Sequence, residues 1–122
     1  MCGILATIGN VNSTISQEDF NLALSLQAHR GPDDIGFEEF HGNKLGHTRL
    51  SIMDLSESGH QPMYSENKDV AIIFNGEIYN FQELKQELVK LGVTFTSQSD
   101  TEVLLKLYLH YGIDCIQQLI GM

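Results

Sequence analysis

A cysteine occupies the second position of the chain, directly after Met1. If Met1 is removed, Cys2 carries a thiol and a free α-amine on one residue. The reference pKa of an α-amine is about 7.7 to 8.0, so this amine could accept the thiol proton directly or through a water molecule. The alternative is that Cys2 is a small buried apolar residue, which is the common role of an isolated cysteine.

An asparagine–glycine pair, Asn75-Gly76, follows an apolar segment in the second half of the chain. A side-chain amide next to a glycine N–H at a strand end supplies two donors that can converge on a developing oxyanion. The same dipeptide is also the strongest short signal for a hairpin turn. Because residues 80–91 have helical rather than strand periodicity, a plain hairpin explains the pair poorly.

Two charged residues have side chains suited to binding the ends of an amino acid. Arg49 lies in an otherwise apolar segment, and its planar guanidinium can hold a carboxylate through two hydrogen bonds. The alternative is an outward-facing strand residue. Asp100 could hold an ammonium group, although an acid at a helix start is usually a cap or a first-turn acid. Neither residue decides a function by itself.

The composition excludes several classes of protein. The 122 residues include 16 acidic and 7 basic side chains, a net charge of -9, and no run of Lys or Arg, which disfavours nucleic acid and anionic membranes as partners. The apolar stretches are far shorter than the roughly 20 residues that cross a bilayer. With no secretory signal, we expect a cytoplasmic protein.

The cysteines and histidines give no indication of a metal site. Cys2 and Cys115 could form one bridge at most, so a disulfide framework is excluded. The five histidines are scattered without a paired i, i+4 arrangement, so solvated or hydrogen-bonded imidazoles are expected. We therefore predict no metal.

The elements that must position these residues form one domain over residues 1–122. Short apolar or alternating segments predict strands at residues 2–8, 37–40, 44–53, 69–74 and 94–96. The first is apolar throughout, which predicts a strand buried on both faces. Residues 29–34 and 56–62 contain Gly and Pro and are predicted to be loops.

Helical spacing and capping residues predict four helices. They begin at the cap candidates Ser16, Asn80 and Ser99 and at residue 114, and they end near Ala28, Gly92, Gly112 and Leu119. Because helices and strands mix without regular β-α-β alternation, the sequence favours an α+β layered fold over a doubly wound parallel sheet.

Five motifs, in this order, resemble the class II glutamine amidotransferase domain of glutamine-hydrolysing asparagine synthetases. They run from the first residue to the last long helix: Met1-Cys2-Gly3-Ile4, His29-Arg30-Gly31-Pro32-Asp33, Arg49-Leu50-Ser51-Ile52, Phe74-Asn75-Gly76-Glu77-Ile78-Tyr79-Asn80 and Ser99-Asp100-Thr101-Glu102. The resemblance thus covers essentially the whole chain, and the set is far more specific than any single motif.

The resemblance implies a fold and a reaction. The fold would be that of an N-terminal nucleophile hydrolase, a four-layer α-β-β-α sandwich in which the nucleophile begins a central strand. The reaction would be hydrolysis of L-glutamine to glutamate and ammonia through a thioester on Cys2. Asn75 and Gly76 would form the oxyanion hole.

The resemblance also implies how glutamine binds. Arg49 would bind its α-carboxylate, and Asp100 with Glu77 would hold its α-ammonium group. The full substrate-binding set would be Arg49, Leu50, Ser51, Ile52, Met53, Asn75, Gly76, Glu77 and Asp100. The loop at residues 29–33 would lie near the site without a direct chemical role.

The family context further implies a partner for this domain. Ammonia would pass to an ATP-dependent synthetase domain of the same full-length chain, which amidates aspartate and alone uses ATP and Mg²⁺; no nucleotide-binding loop is found here. The family's domain normally continues beyond Met122, so the sandwich is expected to be truncated on its C-terminal side. Exposed strand edges and apolar faces would then lead the fragment to form a homodimer, to swap elements or to bind its substrate weakly.

Two alternatives remain open at this stage. One is the glutaminase domain of another class II amidotransferase, of the sugar-phosphate or polysaccharide-modifying type. The other is a non-catalytic module that retains the fold.

Overall fold

The computed structural model describes residues 2–9, 15–51 and 57–122 of the chain, which form a mixed α/β domain. Its strands are β1 (Gly3–Thr7), β2 (Asp34–Phe40), β3 (Asn43–Arg49), β4 (Met63–Tyr64) and β5 (Ala71–Ile72). Its α-helices are α1 (Gln17–Ser25), α2 (Phe81–Lys90) and α3 (Asp100–Tyr111), and short 3₁₀ turns cover Ala28–Arg30, Glu57–Gly59 and Gly112–Gln118.

The first sheet has the order β1-β3-β2, and both pairs are antiparallel. Gly3 lies opposite Thr48, and Asp34 lies opposite Arg49. Because antiparallel strands run in opposite directions, the first residues of β1 lie beside the last residues of β3. This register brings Cys2 next to the end of the segment that carries Arg49.

The prediction that β1 is buried on both faces is wrong. Gly3 is buried, whereas Ile4 is 45% exposed, so the strand alternates. One face of the sheet is covered by α1, where Phe20 contacts Phe37 edge-on at 5.3 Å between ring centroids. β1 is an edge strand of this sheet. The face of β1 that points away from α1 is only partly covered by the described residues.

The second sheet consists of the short antiparallel strands β4 and β5. It lies on the side of the first sheet away from α1, since His47 of β3 contacts the backbone of Phe74. Helix α3 packs against both β4 and α2. Buried side chains between α2, α3 and the following turn form the main core: Ile78, Phe81, Leu84, Leu88, Val103, Leu107 and Cys115.

Two of the three predicted N-caps are confirmed. Ser16 accepts a hydrogen bond from Asp19 N at 3.0 Å, and Ser99 accepts one from Glu102 N at 3.2 Å. Asn80 makes no capping bond. Its amide instead donates to Gln118 O and accepts from Ile120 N, each at 2.9 Å. The segment at residues 118–120 therefore takes up the side chain that would otherwise cap the helix.

Several predicted boundaries are also wrong. Helix α1 ends at Ser25 rather than near residue 28. The short helix predicted over 114–119 is present as a 3₁₀ helix, with the bounds Gly112–Gln118. The strand predicted at 69–74 is limited to Ala71–Ile72. No strand forms at 94–96, because Thr96 N donates to the carboxylate of Glu102 rather than to a neighbouring strand. Helix α3 ends as predicted at Gly112, where φ is +64°.

The last residues of the chain run antiparallel to the segment after Gly76. Ile78 is bridged to Gly121, and Glu77 N donates to Met122 O at 2.8 Å. This pairing places Met122 beside the Asn75-Gly76 turn. Within the part of the chain that the structure describes, no helix is both long and apolar enough to traverse a bilayer.

Glu102 is a buried carboxylate at the start of α3, with only 4% of its surface exposed. It accepts hydrogen bonds from the backbone N–H and hydroxyl groups of both Thr96 and Ser97, at 2.6 to 3.1 Å. Burial by itself would raise the pKa of Glu102, but the hydrogen bonds from Ser97 and Thr96 outweigh it and hold the pKa below its ordinary value.

This lowered pKa predicts a specific loss of stability in acid. The stabilisation is fully present above the unfolded-state pKa of about 4.3 and is lost as the pH falls toward the lower folded-state pKa. Glu102→Gln should lower the free energy of unfolding at pH 7 by about 1–3 kcal/mol, since it leaves buried donors without their charged acceptor. It should also flatten the dependence of that free energy on pH between about 5 and 3.

Urea unfolding of both proteins between pH 3 and pH 7 measures this effect. Glu87→Gln, on the exposed face of α2, is the matched control and should leave the pH dependence unchanged. An unaltered acid slope in Glu102→Gln would contradict the role given to this carboxylate.

Candidate active site

A cavity of about 150 Å³ brings together most of the site residues predicted from the sequence. It is lined by Cys2, Arg49, Leu50, Gly59, Gln61, Phe74, Asn75, Gly76, Glu77, Ser99, Asp100, Thr101 and Met122. Of the predicted set, Ser51 does not line this cavity, and Ile52 and Met53 lie outside the described residues.

Cys2 directly precedes β1, and its sulfur makes two contacts with the backbone of Leu50. Leu50 N donates to Cys2 Sγ at 3.4 Å, and Sγ lies 3.8 Å from Leu50 O. The carbonyl of Cys2 accepts a hydrogen bond from Arg30 Nε at 3.1 Å. The thiol is free and partly exposed, so it is accessible from the cavity.

The loop at residues 29–33 therefore lies next to the site, as expected. Arg30 fixes the Cys2 carbonyl, and Asp33 Oδ2 accepts a hydrogen bond from Ser51 N at 2.7 Å. The loop thus contacts both segments that approach the thiol, residue 2 and residues 50–51.

Asn75 and Gly76 follow β5 where the chain leaves the second sheet. A Cβ atom at position 76 would lie 2.6 Å from both Met122 O and the ring of Phe74, so this position has no space for a side chain. Gly76 therefore allows its backbone to approach the cavity between Phe74 and Met122. Asn75 is half-buried and lines the same cavity.

The backbone of Phe74, directly before Asn75, is hydrogen-bonded by two side chains. Phe74 N donates to Gln61 Oε1 at 2.6 Å, and Phe74 O lies 3.2 Å from His47 Nε2. Burial lowers the pKa of His47, and the neutral imidazole with its hydrogen on Nε2 donates to this carbonyl.

Arg49 is 8% exposed, which is unusual for a charged side chain. Its guanidinium packs directly over Gly59, where a Cβ atom would overlap Nη2. The missing side chain at Gly59 is therefore what permits this position of the guanidinium at the cavity wall.

Asp100 is the first residue of α3 and is also 8% exposed. Its Oδ2 accepts a hydrogen bond from Ile78 N at 3.0 Å. This bond ties the carboxylate to the segment that follows Glu77, and both acids line the cavity.

The cavity lining combines one guanidinium with two carboxylates, a thiol and two side-chain amides. Such a set complements a small zwitterion that carries an additional carbonyl group. Over the described ranges, no three His, Cys, Asp or Glu side chains are grouped so that they could hold a metal ion.

Six lining residues were not among the predicted site residues: Gly59, Gln61, Phe74, Ser99, Thr101 and Met122. Phe74, Ser99 and Thr101 lie inside recognised motifs, so their positions were a usable signal. Gln61 lies in a predicted loop with no periodicity or motif of its own, and its partners are 13 and 40 residues away. No short-range sequence signal predicts that such a residue lines the site.

Comparisons with known proteins agree with this geometry. The family model described as "Glutamine amidotransferase domain" matches residues 1–122. An asparagine synthetase (glutamine-hydrolyzing) 1 of Bacillus subtilis is 42% identical over 127 residues, covering 100% of this chain and 20% of the relative. An asparagine synthetase (glutamine-hydrolyzing) 2 of Oryza sativa is 42% identical over 123 residues, with the same coverage.

A relative with a different name is nearly as similar. Amidase chry2 of Gibberella zeae is 40% identical over 133 residues, covering 99% of this chain and 20% of the relative. The chain spans about a fifth to a quarter of the length of these curated relatives. Since the family model extends over every residue, the chain belongs to the glutamine amidotransferase domain family.

Proposed function

We propose that this domain hydrolyses L-glutamine to glutamate and ammonia through a thioester on Cys2. The observation that carries the proposal is that Cys2, the Asn75-Gly76 turn, Arg49 and Asp100 line one cavity, although they come from four separate segments. Membership of the amidotransferase family supports the same chemistry.

The charged residues of the cavity account for substrate binding. Arg49 binds the α-carboxylate of glutamine through its planar guanidinium, while Asp100 and Glu77 hold the α-ammonium group. The low exposure of Arg49 and Asp100 strengthens these interactions, because nearby water screens them less. The side-chain amide of glutamine is then directed toward the thiol.

The reaction follows from the groups around that amide. The α-amine of Cys2 takes the thiol proton, and sulfur attacks the amide carbon to form a C–S bond. The resulting oxyanion accepts hydrogen bonds from the Asn75 side chain and Gly76 N–H. The amine returns the proton to the leaving nitrogen, the C–N bond breaks, and ammonia departs. Water then attacks the thioester in the same way and releases glutamate.

The wider assignments rest on the family and on the fold. Two sheets lie between α1 and the α2–α3 pair, which supports an N-terminal nucleophile hydrolase sandwich. The strand that follows the nucleophile, β1, is an edge strand of the described sheet and not the central strand that the resemblance implies. Relatives named asparagine synthetases support the formation of asparagine as the use of the ammonia. An ATP-dependent synthetase domain of the same full-length chain that amidates aspartate, and a cytoplasmic location, stay predictions. Homodimer formation stays a prediction.

An electrophilic glutamine analogue tests the proposed function. A chloroketone or diazoketone analogue should add to Cys2 with a stoichiometry of one, and excess L-glutamine should protect the thiol. Cys115 is an internal control, since it is 1% exposed and burial raises its pKa, so it should remain unmodified. Peptide mass spectrometry locates the adduct. No adduct on protein that has lost Met1 would favour a non-catalytic module.

A further inference from the structure

Gln61 is a buried side chain that the proposed mechanism does not use. It is 5% exposed and lies on the cavity wall. Its Oε1 accepts from Phe74 N at 2.6 Å, and its Nε2 donates to Thr101 Oγ1 at 3.1 Å. The assignment of oxygen and nitrogen in the Gln61 amide follows from its partner: the Phe74 N–H can only donate, so the Gln61 atom that faces it must be the oxygen.

These contacts act on the residue that directly precedes the proposed oxyanion donors. The N–H of Phe74 belongs to the peptide unit before that residue, and its carbonyl belongs to the unit that also contains Asn75 N. Gln61 holds the first unit and His47 holds the second, so both backbone dihedral angles of Phe74 are constrained. Those two angles determine the position and direction of the Asn75 backbone relative to β5.

Side chains act here because the sheet does not extend this far. Strand β5 ends at Ile72, so residues 74–76 lie beyond its ladder with β4. The second contact of Gln61 reaches Thr101, which directly follows Asp100 on α3. One amide therefore connects the segment with the oxyanion donors to the helix with the proposed ammonium ligand.

We propose that Gln61 is a positioning residue for glutamine hydrolysis, which sets the place of the Asn75 and Gly76 donors by holding the backbone of Phe74. The inference rests on the proposed function. Since those donors act on the oxyanion rather than on the bound substrate, the loss of Gln61 affects kcat much more than KM.

Gln61→Met tests this inference in the complete protein after removal of Met1. Methionine has nearly the same length but neither accepts from Phe74 N–H nor donates to Thr101. We expect kcat for glutamine hydrolysis to fall about tenfold to a hundredfold, the effect of a misplacement of about 1 Å in a catalytic group, with KM within twofold. Ammonia release measures both constants.

His47→Phe is the second variant, and it removes the hydrogen bond to the other peptide unit of Phe74. It should give the same fall in kcat with an unchanged KM, so the inference stays testable if Gln61→Met does not fold. Ser65→Ala is the matched control: Ser65 is 4% exposed and accepts from Val70 N at 3.0 Å between β4 and β5. It should lower the melting temperature but leave kcat within twofold.

The remaining outcomes each have a distinct meaning. A raised KM with unchanged kcat would overturn the inference and make Gln61 a substrate ligand. An equal fall of kcat in Ser65→Ala would show that general destabilisation is the cause and would also overturn it. If the wild type hydrolyses glutamine, and both Gln61→Met and His47→Phe have the same kcat as the wild type, the inference fails while the proposed function stands. A wild type that neither hydrolyses glutamine nor reacts with the analogue overturns both.

Discussion

Cys2→Ala is expected to abolish glutamine hydrolysis while leaving the domain folded. The thiol is the atom that forms the covalent intermediate, and loss of an enzyme's nucleophile lowers kcat by about 10⁴-fold or more. The side chain is partly exposed and its sulfur makes only weak hydrogen-bond contacts with the backbone of Leu50, so its removal should change the free energy of unfolding little. Ammonia release in a coupled assay, together with thermal unfolding, measures the two effects.

Cys115→Ala is the matched control for that experiment. Cys115 is a free cysteine that lies in the α2–α3 core and away from the cavity. Its removal should lower the free energy of unfolding by about 1–2 kcal/mol and leave kcat unchanged. Intact mass must show that Met1 is absent in every preparation, since a retained Met1 converts the basic amine into a peptide nitrogen. Full activity in Cys2→Ala would refute the thioester mechanism.

Asn75→Ala is expected to lower kcat by about 10²–10³, which corresponds to about 2.7–4 kcal/mol of barrier. The substrate carbonyl gains most of its negative charge only in the tetrahedral state, so the amide donor stabilises that state more than it stabilises bound glutamine. KM should therefore change less than about threefold. Steady-state kinetics of ammonia release separates the two constants.

Asn67→Ala is the control for the loss of an asparagine side chain. Asn67 is exposed in the turn between β4 and β5, where it contacts Asp69 and Ser65. Its replacement should leave both constants unchanged. A large rise of KM in Asn75→Ala with little change in kcat would assign Asn75 to ground-state binding instead of the oxyanion hole.

Local signals in the sequence predicted the parts of the fold that depend on short-range chemistry. The caps at Ser16 and Ser99 and the end of α3 at Gly112 depend on residues within a few positions of one another. The predicted strand at 94–96 failed because a carboxylate from the next helix replaced a strand partner. Asn80 failed as a cap because residues 118–120 compete for its amide.

The site was predictable to the extent that its residues lie in recognisable motifs. The motifs singled out Cys2, Arg49, Asn75 and Asp100, and the structure places all four on one cavity, while the roles given to them stay predictions. The supporting contacts were not identified, because they join positions that are far apart in the chain. The bonds of Arg30 to Cys2 O and of Gln61 to Thr101 span 28 and 40 residues. Only the folded register reveals such pairs.

The first turn of α3 has a consequence for how this domain opens. Successive helical residues point about 100° apart, so three neighbouring side chains can reach three different segments. Asp100 bonds to Ile78, Thr101 to Gln61, and Glu102 to residues 96–97. Helix ends ordinarily fray at little cost. Here fraying of a single turn would break all three of these bonds, so we expect amide exchange at the helix start and opening of the cavity wall to be coupled.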